Sequence, residues 1–246
     1  MEPMPHQLPT TSPNTYARIG GIAYLIIIVA GFLGEMFVRN SIVVSGDAAA
    51  TARNLAASPT LWRLGIAGDL LMHVCDIIVL LTYFVIFWPV NRKLIVFAIM
   101  LNLIQTAVLV ANKLNLLMPL FLTSNDEYLT PFSLQQLHTL SYLFIKAHSY
   151  GFGIGLIFFG CALLVYGYLI RKSVFLPGAL GIGLQIAGVC YLVNSFALIL
   201  APKIAQLLFP AILLPPLIAE LSLCLWLIFK GVDVAIWKEK AAVSSI

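Results

Sequence analysis

Six stretches of this chain, residues 19–38, 61–88, 94–121, 143–170, 175–200 and 205–229, are apolar runs long enough to cross hydrocarbon as helices. Inside a bilayer every backbone N–H and C=O must find its partner within the protein, which leaves only helices or closed barrels. Barrel strands alternate apolar with polar residues, and these runs do not. The fold class is therefore all-α, a polytopic membrane helical bundle of six transmembrane helices, with the lipid bilayer as its first partner. Composition agrees: 61% of residues are hydrophobic and 10% charged, with a mean hydropathy of +1.00, well outside the range of a soluble domain.

The edges of the runs suggest the rest of the layout. Residues 1–17 are polar and proline-rich, with no Lys or Arg before Arg18, and read as a disordered tail rather than a cleavable signal peptide. Residues 18–232 form the six-helix domain, and 233–246 a second tail. Asp47 caps an alanine-rich stretch (45–58) that reads as a short outer-loop helix. Residues 130–151 read as an interfacial helix that merges into, or kinks toward, the fourth span, with His138 as a wetted surface residue. Pro210, Pro215 and Pro216 are expected to break or kink the last span just before Glu220. Cys75, Cys161, Cys190 and Cys224 stand singly in apolar segments, as small core residues do.

Charge placement orients the bundle. With the N-terminus inside, Arg18, Arg92, Lys93, Arg171, Lys172, Lys230, Lys238 and Lys240 fall on the inner side, against Arg39, Arg53, Arg63 and Lys203 outside. Both termini are therefore predicted to be cytoplasmic. Basic residues scattered at helix ends form no nucleic-acid patch, so no nucleic-acid partner is expected. The glycines of "GFGIG" (151–155) lie within a span and read as close helix packing rather than a phosphate loop.

The remaining polar residues are the ones that need a reason. Asp69, His73 and Asp76 share one face of the second run, at spacings of four and three. Exposing such a stripe to lipid costs a few kcal/mol per charge, so it must face protein or water. Residue counting at about 1.5 Å per residue puts Glu35, Asn112, Lys113, Lys146, His148 and Asn194 in the outer half. The same count puts Asn102, Gln105, Gln185 and Glu220 near the middle. That pattern predicts a polar funnel, wide outside and closed inside. Glu35, Asp69, Asp76 and Glu220 against Lys113 and Lys146 leave two excess negative charges. They call for protonated carboxyls, protonated His73 or His148, rim pairs with Arg39 and Arg63, or a bound cation. Bland readings stand beside these: Lys113 and Lys146 snorkel, Glu35 pairs with Arg39 at helical spacing, and Asn102, Gln105 and Gln185 are interhelical glue.

The segments "GDAAATARN", "SPTLWRLGIAGDLL", "CDI", "KAHSYGFGIGLIFFG" and "AELSLCLWLIFKG" together resemble a bacterial multi-pass family catalogued as a domain of unknown function, number four-three-eight-six. The resemblance runs from about Arg18 to Val232. It implies the six-span fold and a bacterial cytoplasmic (inner) membrane, and it names no substrate. It also implies that Glu35, Arg63, Asp69, Asp76, Gln105, His148 and Glu220 occupy recurring polar positions. Two positions depart from the family pattern. Asn102 stands where an arginine is usual and Asn194 where an aspartate is usual; if those two positions pair in relatives, a charged bridge becomes an amide contact here, which implies a structural role at both. His73 looks like a local addition.

Three functions fit these residues. The favoured one binds or translocates a small ligand, proton or cation at a cavity of Asp69, Asp76, Gln105, His148 and Glu220, with His73, Lys113 and Lys146 as secondary members. Asp76 and Glu220 then share one cavity near the midplane, at least one of them carrying a proton, reached from outside past Asp69 and His148. In that reading no residue is assigned to a metal, and no cofactor is named. The second is an intramembrane metal-dependent hydrolase with His148 and two of Asp69, His73 and Asp76 as ligands, with a haem held by His73 and His148 as a variant. The third is a non-catalytic membrane subunit or assembly factor whose polar stripe is used wholly in packing.

Overall fold

The computed structural model describes residues 12–124 and 126–243. The first eleven residues of the expected N-terminal tail lie outside the described residues. Among those described there is helix and no strand, and six helices are long and apolar enough to cross a membrane: Pro13–Ile42, Pro59–Phe87, Arg92–Leu122, Leu134–Ser173, Gly178–Leu200 and Ala211–Phe229. The protein is a multi-pass membrane protein. Each span packs against the next in sequence, and the sixth packs against both the fifth and the first, so the six close into a ring. Six crossings bring the first and last helices to one end, here the terminal end. The opposite, loop end carries the outer-loop helix Ala48–Ala57, capped by Asp47 as expected.

Several helix bounds differ from the sequence reading. The first helix starts at Pro13, five residues before Arg18, because the Ser12 hydroxyl accepts from the Asn14 amide and Pro13 needs no amide partner in the first turn. The helix expected before the fourth span merges into it, one of the two outcomes the sequence allows. A capping box of Ser133 and Gln136 opens a single helix of 40 residues, about 60 Å long, or twice the hydrocarbon thickness. No proline lies within it to stop it. Its projecting turns support the outer-loop helix, where Gly46 N–H donates to the Tyr142 hydroxyl at 2.7 Å. In the last span the prolines open the helix instead of kinking it. Pro215 lies at the start of Leu214–Phe229, where a missing amide costs nothing. The break expected beside Glu220 is thus moved to the loop end, where the separate helix Pro202–Leu208 precedes it.

The C-terminal segment expected as a tail contains the helix Val234–Val243. Trp237 is buried and donates from Nε1 to the Ile86 carbonyl at 3.0 Å, while Val232 N–H donates to Asn14 Oδ1 at 2.7 Å. This segment fastens the terminal end.

With lipid on the outside, apolar side chains gain little by choosing a neighbouring helix over an acyl chain, so close packing decides the interfaces. Spans four and five meet at two pairs of glycines, Gly160 with Gly188 and Gly167 with Gly181. A Cβ on Gly188 would lie 2.7 Å from the Gly160 carbonyl oxygen. The "GFGIG" glycines behave as expected: Gly151 faces Asn112, Gly153 faces Leu198 and Gly155 faces Leu109, all on other spans.

Candidate functional site

Two polar layers lie between the spans. Measured from the helix ends at the terminal side, Arg39, Asp69, Lys113 and His148 stand about 27 to 39 Å along their helices. Tyr24, Asp76, Asn102, Tyr191 and Glu220 stand about 14 to 20 Å along theirs. The first set forms an ion network on the loop side. The second surrounds a cavity.

The network joins four spans. Asp69 Oδ2 accepts from Lys113 Nζ at 2.7 Å and from Arg39 Nη1 at 3.0 Å. Arg39 Nε also donates to Glu35 Oε2 at 2.6 Å, the i,i+4 pair anticipated from spacing. Lys113 Nζ lies 3.5 Å from His148 Nε2. Two backbone irregularities make this geometry. A π-helical turn over Gly34–Arg39 resets the helix face so that Arg39 reaches inward. Gly34 has no side chain to obstruct it, and a Cβ there would lie 3.2 Å from the guanidinium. The third span is interrupted at Lys113, between Arg92–Asn112 and Leu114–Leu122. Asn112 beside the break donates to the His148 carbonyl at 2.8 Å.

Lys113 therefore does not snorkel; it is buried against Asp69. Lys146 does face outward, over the Tyr142 ring at 5.7 Å, and leaves the intramembrane set. Asp69 and His148 are buried in the network and do not line the cavity. On the loop side of the cavity the two carboxylates and two cations of the network close on one another.

The cavity, of about 140 Å³, is lined by residues from all six spans. Asp76, Gln105, Glu220 and His73 are on its wall. Asp76 Oδ2 accepts from Asn102 Nδ2 at 3.1 Å and from the Thr106 hydroxyl. Asn102 Nδ2 also donates to Gln105 Oε1 at 2.9 Å. Asn102 directs its amide to these two and not to Asn194, so the expected amide bridge is replaced by an Asp76 contact. Across the cavity, Tyr24 and Tyr191 donate to the two oxygens of Glu220 at 2.7 and 2.6 Å. Among the described residues the hydrogen-bond partners of these carboxylates are neutral, and no lysine or arginine lines the cavity. Asp76 and Glu220 are thus the two counted carboxyl groups that no lysine or arginine pairs among the described residues.

Two buried polar atoms of residues that line the cavity have no hydrogen-bond partner among the described residues: His73 Nε2 and the Tyr83 hydroxyl. Tyr24, Tyr191 and Thr106 escaped the sequence reading. Mid-span tyrosines were the available signal, since tyrosine in membrane helices favours the two interfaces. The hydrolase ligand set is not assembled: His148 turns to Lys113, and no three His, Cys, Asp or Glu side chains gather as a metal site among the described residues.

The family profile described as Domain of unknown function (DUF4386) matches residues 19–231. Comparisons with curated proteins and with solved structures gave no match.

Proposed function

The chain belongs to the DUF4386 family, and we propose that it binds a small positively charged species, a proton or a cation, in the cavity between its six spans. One observation carries this reading: Asp76 and Glu220 line a single intramembrane cavity that holds no lysine or arginine among the described residues. Buried carboxylates without a countercharge are costly in a low dielectric, and intramembrane ionisable groups of this kind mark ion and substrate pathways. Asp76 and Glu220 supply the negative charge. Asn102, Thr106, Tyr24 and Tyr191 hold the carboxylates in place without neutralising them, and the bound species completes the charge balance. In the same reading the protein sits in a bacterial cytoplasmic membrane with both termini inside, on the strength of the basic-residue asymmetry.

The reading is tested on purified protein in lipid nanodiscs. Proton release and the heat of titration with Na⁺, K⁺ and methylammonium are compared between the wild type and the Asp76→Asn/Glu220→Gln double variant. Binding of one of these species by the wild type, lost in the variant, is the expected result. Identical behaviour of both proteins ends the proposal. Reporter fusions after Lys93 and within the 43–47 loop should report opposite sides of the membrane, and matching signals would overturn the orientation.

A further inference from the structure

Resting on that reading of the cavity, the walls narrow the cation to one chemical class. We infer that the cavity takes a small organic ammonium ion, an amine of a few carbons or its methylated form, in preference to an inorganic cation. Charge alone would not separate the two. The separation comes from what surrounds the charge.

Five aromatic rings line the cavity, those of Tyr24, Tyr83, Phe152, Phe159 and Tyr191, and Leu109, Leu156 and Leu163 are among the residues filling the gaps between them. Aromatic faces attract a cation through the ring quadrupole, and quaternary and protonated amines are the ions that use this best, since their carbon atoms also gain from apolar contact. Inorganic ions ask for something else. Calcium takes roughly six to eight oxygen ligands, and potassium sites replace a hydration shell with rings of carbonyls. Here both oxygens of Glu220 and one of Asp76 already accept hydrogen bonds, and most of the wall is hydrocarbon.

The unpartnered atoms fit the same class. His73 is 6% exposed and Tyr83 3% exposed, and neither His73 Nε2 nor the Tyr83 hydroxyl has a partner although both residues line the cavity. An ammonium N–H can donate to the Tyr83 oxygen, to His73 Nε2 in the neutral tautomer protonated at Nδ1, and to the Asp76 oxygen not used by Asn102 and Thr106. Size agrees as well. A cavity of about 150 Å³ holds benzene, so the 140 Å³ available here suits an ion of about four to six heavy atoms.

Thermal stability and titration calorimetry of the full-length protein in nanodiscs would test this. The probes are methylammonium, ethylammonium and tetramethylammonium chlorides, with NaCl and KCl as inorganic controls and tert-butanol as a neutral molecule of similar shape. At least one ammonium ion should bind tenfold or more tightly than Na⁺, K⁺ or tert-butanol, and Asp76→Asn or Glu220→Gln should remove that binding. Because those variants could also disturb assembly, Tyr83→Phe provides a second reading. It deletes a hydroxyl that bonds to nothing, so folding should be unchanged while affinity for methylammonium falls several-fold. Binding of protons, Na⁺ or K⁺ without preference for the ammonium ions would overturn the organic-cation assignment and leave the charged cavity standing. Equal binding of tert-butanol and tetramethylammonium would overturn it too, as shape alone would then suffice. Absence of every cation and of proton release would remove both proposals.

Discussion

Asp69 and Asp76 are the same residue, two turns apart on one helix, and their surroundings differ in whether a basic side chain meets the carboxyl group. Asp69 is met by a lysine and an arginine within 3.0 Å. Asp76 is met by an asparagine amide and a threonine hydroxyl, and its counterpart Glu220 by two tyrosine hydroxyls. Neutral donors orient a carboxylate without cancelling its charge. Salt-bridge partners cancel it, and in doing so remove it from any chemistry with a ligand. The loop-side layer therefore pairs its charges within itself, while the second layer has no lysine or arginine partner among the described residues.

That contrast makes removal of Asp69 the largest expected loss. Asp69→Asn leaves Lys113 buried with no anion and Arg39 with only the half-exposed Glu35. Breaking a buried pair by removing one partner costs about 3–5 kcal/mol. Unfolding of the purified variant in mixed micelles should show a loss of that order. A loss under about 1 kcal/mol, the range of exposed pairs, would mean that the network is hydrated and that the two layers do not differ as described.

Next in size is an attempt to turn the second layer into a copy of the first. Asn102 Nδ2 lies 3.1 Å from Asp76 Oδ2, so Asn102→Arg puts a guanidinium beside that carboxylate, with the cavity to receive the longer side chain. The variant should remain folded. Cation binding should weaken at least tenfold, about 1.4 kcal/mol, because Asp76 then has a resident countercharge. Unchanged binding would show that Asp76 is not what the ligand meets.

What could be read from the sequence follows from which physical signals are local. Span number and class were legible because hydrocarbon imposes a length and forbids unsatisfied backbone, and both constraints act on consecutive residues. The depths of Asp76 and Glu220 were legible for the same reason, since rise per residue is constant. The fate of Lys113 was not. Snorkelling and burial in a salt bridge begin from the same lysine near a helix end, and the choice depends on Asp69, 44 positions away. The π-helical turn that aims Arg39 also left no composition signal beyond Gly34. The prolines of the last span predict a break or a kink before Glu220, since proline cannot supply an interior helical amide. The structure has the break: Pro202–Leu208 ends before Pro210, and the last helix opens at Leu214 with Pro215 in its first turn.

Removing the charges of the second layer should disturb stability far less than removing Asp69. Asp76→Asn keeps an acceptor for Asn102 and Thr106, and Glu220→Gln keeps one for Tyr24 or Tyr191, while the second tyrosine can accept from the new amide. No cation is stranded in either case. A change within about 1 kcal/mol is expected, the range of a single neutral hydrogen bond, measured in the same micelle unfolding assay. Losses as large as that of Asp69→Asn would make these carboxylates part of the packing, as the assembly-factor reading requires.

Glu35 completes the series and should give the smallest effect. Its side chain is 52% exposed and its partner Arg39 lies four residues further along the same helix, the favourable order for an i,i+4 pair. Exposed pairs of this kind contribute about 0.2–1 kcal/mol. Arg39 would not be stranded by the loss, because Nη1 keeps its 3.0 Å contact with Asp69. Glu35→Gln should therefore lower stability by no more than about 0.5 kcal/mol, and less at high salt, where an exposed pair is screened. A salt-independent loss of several kcal/mol would place Glu35 inside the buried network. The boundary between the closed charge layer and the membrane surface would then lie one helical turn further out than the burial of these four side chains indicates.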